Sequence, residues 1–126
     1  MSENPEIVAN ETASALFCLK RIDSLAAAAY GDSKAASSAF EEIGALAGRA
    51  KTQINAYLKR TLNKELIDFD DGYPAEIDDK LDAVFDCAFA DGDDLWRQRM
   101  QSIETNASAA ATLVAKLESE TSMSLV

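Results

Sequence analysis

Ala15 to Ser33 reads "ALFCLKRIDSLAAAAYGDS", and this stretch decides the fold. Ala15, Cys18, Leu19, Ile22, Leu25, Ala26 and Ala29 recur at three- and four-residue steps, the period of a helix with one buried face. The alanine run reinforces it, because alanine loses no side-chain entropy on entering a helix. Tyr30-Gly31 then ends the helix, glycine supplying the left-handed backbone that closes one. Asp32 or Ser33 caps the next. So short a connection makes the two helices an antiparallel hairpin.

Upstream, Asn4-Pro5 reads as an N-cap followed by proline at the first helical position, which places the first helix over about 5–30. Downstream, a second helix is expected over 33–67, burying Phe40, Ile43, Ala47, Ala50, Ile54 and Tyr57 or Leu58. Gly44 and Gly48 on its flank leave room for a neighbouring helix to come close. The stretch "DFDDGYP" (68–74) interrupts the pattern, since glycine and proline two residues apart do not share a helix interior. Pro74 opens a third helix over 74–91 with the stripe Ile77, Leu81, Val84 and Ala88, flanked by Phe85 and Phe89. "ADGDD" (90–94) is a second break or a tolerated glycine. A last helix over 94–121 carries Trp96, Met100, Ile103, Ala107, Ala110, Val114 and Leu117, and "SMSLV" is expected to fray. These readings give an all-α fold, one domain built as a bundle of three to four antiparallel helices.

Composition fits that fold and removes others. A chain of 126 residues suffices for one hydrophobic core, and 48% hydrophobic with 27% charged residues is globular usage rather than disorder. No apolar run nears the ~18–20 residues that span a bilayer, so no membrane role is expected. The acidic start, with no Lys or Arg before Lys20, argues against a secretory signal. Cys18 and Cys87 stand alone in apolar helical contexts and read as reduced thiols of a cytoplasmic protein, although spacing alone leaves a disulfide between them open. Histidine is absent, which removes the commonest general base and the commonest metal ligand.

The charge is concentrated. Residues 65–94 hold twelve acids against Lys80 alone, a net −11 in a chain whose total is −10, so everything else sums to +1. Just before them, between Ile43 and Lys64, lie five cations (Arg49, Lys51, Lys59, Arg60 and Lys64) and no acid. Were all five to pair with the acidic segment, six negative charges would remain, and like charge crowded on a small domain favours a partner of opposite sign.

Small-ligand chemistry fits these acids badly. Counted as a calcium loop from Asp68, the segment puts Gly72 at position five and Tyr73 at six, where the diagnostic glycine belongs. A di-metal bundle wants a Glu-x-x-His pair. A carboxylate hydrolase wants two acids in opposed environments across a cleft. Neither thiol has an activating base, and no phosphate-cradling glycine loop occurs. No catalytic residue, metal or cofactor is therefore expected. Direct nucleic-acid binding is set aside because the acids would repel a phosphate backbone.

A basic protein surface remains, such as that of a nucleic-acid-binding protein or a cationic toxin. The residues expected to meet it are Asp70, Asp71, Glu76, Asp78, Asp79, Asp82, Asp86, Asp93 and Asp94, with Trp96 as a half-buried anchor at the boundary. An acidic helical face can imitate spaced phosphates, as small inhibitors of the phage anti-defence, immunity and antitoxin kinds do; the analogy is one of composition. The alternative is a structural or assembly bundle that self-associates, for instance as a homodimer, through an apolar helix face.

Overall fold

The structure is a computed structural model that describes residues 11–30, 33–89 and 95–125. It is an all-α bundle whose described residues form four helices, α1 (Glu11–Ala29), α2 (Ser33–Leu62), α3 (Gly72–Phe89) and α4 (Trp96–Leu125), with a 3-10 turn, Leu66–Asp68, between α2 and α3. The Asn4-Pro5 cap, Gly31-Asp32 and the 90–94 break lie outside the described residues.

Packing runs in a ring. α1 lies against α2 and α4, and α3 against α2 and α4, so α1 and α3 are diagonal partners that do not touch. Neighbours are antiparallel. Glu11 and Thr12 at the start of α1 meet Arg60 late in α2 and Glu118 late in α4, the Thr12 hydroxyl donating to the Glu118 carboxylate. Arg99 early in α4 meets Cys87 late in α3.

The expected stripes are the core. All of the α1 stripe is buried except Leu25, which is half-buried, and α1 adds Thr12. In α2 both Tyr57 and Leu58 are buried, with Phe40, Ile43, Ala47, Ala50 and Ile54. Ile77, Leu81, Val84 and Ala88 of α3, and Met100 to Leu117 of α4, point inward as their spacing requires. Ten buried core positions are alanine (Ala15, Ala26, Ala29, Ala36, Ala39, Ala47, Ala50, Ala88, Ala107 and Ala110), small enough to let helices pack closely along much of the bundle. The glycine flank does the same for α3: a Cβ on Gly44 would fall 2.4 Å from Cζ of Phe89, and one on Gly48 would meet Phe85 at 4.0 Å. Phe85 and Phe89 stack with centroids 6.3 Å apart, yet Phe89 is 64% exposed, a lid over Gly44 rather than part of the core.

The helix bounds differ from the expected ones for identifiable reasons. α2 stops at Leu62 instead of 67 because Asn63 turns left-handed (φ 57°), its N–H closing on the Lys59 carbonyl at 3.1 Å. Asparagine tolerates that conformation better than most residues, and no glycine announces it. Leu66 then folds back as a buried plug, its N–H held by the Asn55 side chain at 2.8 Å. The Asp68 carboxylate accepts the Glu65 N–H at 2.9 Å and fixes the 3-10 turn. α3 opens at Gly72, two residues before Pro74, because Gly72 at φ 83° makes the turn that only glycine makes cheaply. Pro74 sits in the first helical turn, where its missing N–H has no partner to lose. α4 continues to Leu125 rather than ending near 121.

Candidate partner surface

The core stripe of α3 dictates what its other side carries. With Ile77, Leu81, Val84 and Ala88 turned inward, a period of 3.6 sends Asp79, Asp82 and Asp86 to the opposite side, where all three are exposed. They step along the helix axis by roughly 4.5 and 6 Å. Glu76, also exposed, lies toward one edge of this ridge together with half-buried Lys80. Asp78 lies toward the other edge, with Phe85 and Phe89, facing α2.

Asp78 is engaged within the fold. Its Oδ1 is buried and lies 3.5 Å from the Lys51 ammonium, an ion pair without a hydrogen bond's alignment. Lys51 thereby reaches from α2 to the acidic helix. Arg60 turns the other way and grips one Glu11 oxygen through Nε and Nη2, both at 2.7 Å. Lys64 stands 5.3 Å above the Phe69 ring. Of the basic segment, Lys51 thus goes to α3, Arg60 to α1 and Lys64 to the Phe69 ring in the α2–α3 connection.

The electrostatic consequence appears at Asp82. Partial desolvation raises its carboxyl above the ordinary Asp value, Asp78 raises it further, Lys51 lowers it, and Asp86 and Asp79 raise it again. Three like charges within one turn on either side outweigh one cation. Cys18, by contrast, is raised by burial alone, with Arg49 partly opposing, and a buried thiol pushed up is a poor nucleophile. Both cysteines are free, Cys18 on α1 and Cys87 on the diagonal helix α3.

The structure gathers some of the expected residues and separates others. Glu76, Asp79, Asp82 and Asp86 form one face; Asp70 and Asp71 are exposed in the α2–α3 connection that leads into it. Asp93 and Asp94 lie outside the described residues. Trp96 is half-buried with the Arg97 guanidinium 5.0 Å from its ring centroid, but it starts α4 at the end of the bundle far from Asp70 and Asp71, roughly the ~27 Å length of α3 away. Among the described residues, no group of three or more Asp, Glu or Cys is arranged to hold a metal ion. No helix of the described residues is long and apolar enough to cross a membrane.

Arg99 was not singled out by the sequence. Its guanidinium donates to the Cys87 carbonyl at 2.8 Å and the Ala88 carbonyl at 3.3 Å, and lies 3.8 Å over the Phe40 ring. One cation thereby closes the C-terminus of α3, where the helix dipole favours positive charge, and ties it to α2 and α4. Nothing in the spacing separates Arg99 from its neighbour Arg97, which stays on the surface.

The class these observations define is an up-and-down four-helix bundle with one acidic helix face. No protein-family model, curated protein or solved structure matches the chain.

Proposed function

We propose that the protein is a non-enzymatic, cytoplasmic binder of a basic protein surface, acting as an inhibitor or antagonist that presents α3 as a row of anionic groups. The observation that supports this most directly is the ridge Asp79–Asp82–Asp86, three exposed carboxylates opposite the core stripe, at one of which neighbouring acids outweigh the nearby cation. A partner bringing Lys or Arg to this ridge relieves that repulsion and gains long-range attraction, which raises association rates by ~10–10³. A row of charges spaced by a few ångströms along a rigid rod is also the pattern a phosphate-binding groove accepts, so a nucleic-acid-binding protein or a cationic toxin suits the surface. Among the described residues six large apolar residues are exposed, Phe17, Tyr30, Leu62, Ile67, Phe89 and Leu95, and no two of them make a stripe along one helix, which favours this reading over self-association through an apolar helix face.

The test is a capture experiment from native lysate, eluted by a salt gradient, with the wild-type chain and the triple variant Asp79→Lys/Asp82→Lys/Asp86→Lys. Wild type should hold partners that elute early in the gradient, and the variant should lose them by ~100-fold in affinity while its helical circular dichroism is unchanged. Retention of the same partners by the variant, with no dependence on salt, would sink the proposal. A concentration-dependent dimer in light scattering, indifferent to the three lysines, would support the assembly reading instead.

A further inference from the structure

At the end of the bundle where α2 stops and α3 begins, α4 runs past the connection and leaves an open groove of about 300 Å³. Leu62, Phe69, Tyr73, Pro74 and Leu117 supply most of its wall, Thr121 closes the floor, and Asp71 and Glu120 stand beside it. Gly72 is also part of the wall, and its left-handed turn leaves no side chain there to fill the space. Leu62, in the wall, is 42% exposed, so apolar surface of the groove faces solvent. Volumes near ~300 Å³ are at the lower limit for small-molecule sites, and suit one large side chain better than a whole ligand.

We propose that this groove is an anchor pocket for a single apolar side chain of the partner, flanked on the partner by Lys or Arg. The inference rests on the basic-partner reading above and gives that partner a sequence character. Charge complementarity selects the occupant. Asp71 borders the groove, exposed Asp70 precedes it and exposed Glu76 follows one turn into α3, so acids outnumber Lys64, the cation over the Phe69 wall ring. An acidic or neutral segment would bring its own charge or none against these groups, whereas a basic one pairs with them as its apolar residue enters. The arrangement also joins the two properties a specific interface needs, an anchor that excludes water and a charged rim that steers approach. From the groove the acidic ridge of α3 continues away along the bundle, so one extended basic segment can use both.

Two synthetic Lys/Arg peptides, identical except for a central tryptophan or alanine, test this by titration calorimetry against the full chain. The tryptophan peptide should bind about tenfold tighter. In the double variant Leu62→Ser/Tyr73→Ser that gain should vanish while the alanine peptide binds as before, because both positions are partly exposed and uncharged. In parallel, the tryptophan peptide alone should shift the methyl resonances of Leu62, Leu117 and Thr121. Equal affinity of the two peptides for the wild-type chain, or a tryptophan gain that persists in the double variant, overturns the pocket and leaves the acidic-surface reading standing. Failure of both peptides to bind overturns both. A gain that emerges only after Ile7→Ser/Val8→Ser assigns the groove to the chain's own first residues, and a dimer dissolved by Leu62→Ser assigns it to a second copy; either result ends the proposal.

Discussion

The α1–α2 flank and the α3 ridge carry charge in opposite ways. On the first, unlike charges face each other across the helix boundary: Arg60 on Glu11 at 2.7 Å and Arg21 on Glu42 at 3.4 Å. On the second, Asp79, Asp82 and Asp86 face solvent from one helix, and Lys51 of α2 pairs with Asp78 at its edge. Both flanks rest on the same kind of apolar stripe. The difference is what lies outside it: one flank closes its electrostatics within the fold, and the other leaves them open to a partner.

The largest effect should come from the stripe itself, because the ridge above it contributes repulsion rather than stability. Leu81, fully buried in the middle of α3, is the position to test. Leu81→Ala should cost about 2–5 kcal/mol in urea unfolding, lost transfer energy plus a residual cavity. Leu19→Ala in α1 belongs in the same range, since Leu19 is equally buried. A cost below ~1 kcal/mol at Leu81 alone would mean that α3 is held by something other than its inner face.

A smaller effect belongs to the paired flank. A double-mutant cycle on Glu11→Ala and Arg60→Ala should return a coupling of roughly 0.5–1 kcal/mol. Glu11 is only 19% exposed at its side chain and the guanidinium contacts it through two nitrogens, which sets this pair above an ordinary surface bridge. The looser Arg21–Glu42 pair, half exposed on both sides, should couple by less. Equal values would remove the distinction between a closed flank and an open one.

How much of this was legible in sequence follows from which residues act locally. The inward stripes could be read because burial imposes a period that survives any detail of tertiary packing. The α2–α3 connection could be read as a break, but not as Asn63 turning left-handed with Leu66 plugged beneath it, since Leu66 depends on Asn55, eleven residues away. The ridge could be read as acidic and not as unneutralised. Five cations beside twelve acids in sequence suggest pairing, and only helix phase and the ring order of the bundle send Arg60 to α1 and Lys64 to Phe69. For the same reason Asp78 looked like Asp79 until the structure turned one toward Lys51 and the other toward water. The end groove needs three elements that meet from positions 62, 69–74 and 117–121, and no local pattern contains it.

The smallest effect is the most specific to the ridge. Asp82→Asn removes one carboxylate that has Asp78, Asp79 and Asp86 three or four residues away, and each such like-charge pair costs an exposed helix ~0.2–0.5 kcal/mol. The favourable pull of Lys51 is lost with it, and solvent screens an exposed group, so the net stabilisation at neutral pH should be roughly 0.5 kcal/mol, or about 2 °C in Tm. The sign with pH follows from the direction of the shift. A carboxyl raised in the folded state takes up its proton more readily there than in the unfolded chain, so its destabilisation is complete above the folded value. It is released as pH falls through that value toward the ordinary Asp value. The advantage of Asp82→Asn over wild type should therefore be present at pH 7 and gone near pH ~3.5, and it should shrink with added salt at pH 7. An advantage that held constant across that range would trace to helix propensity or packing at residue 82. The ridge would then be a row of carboxylates that do not feel one another, with no repulsion for a basic partner to relieve.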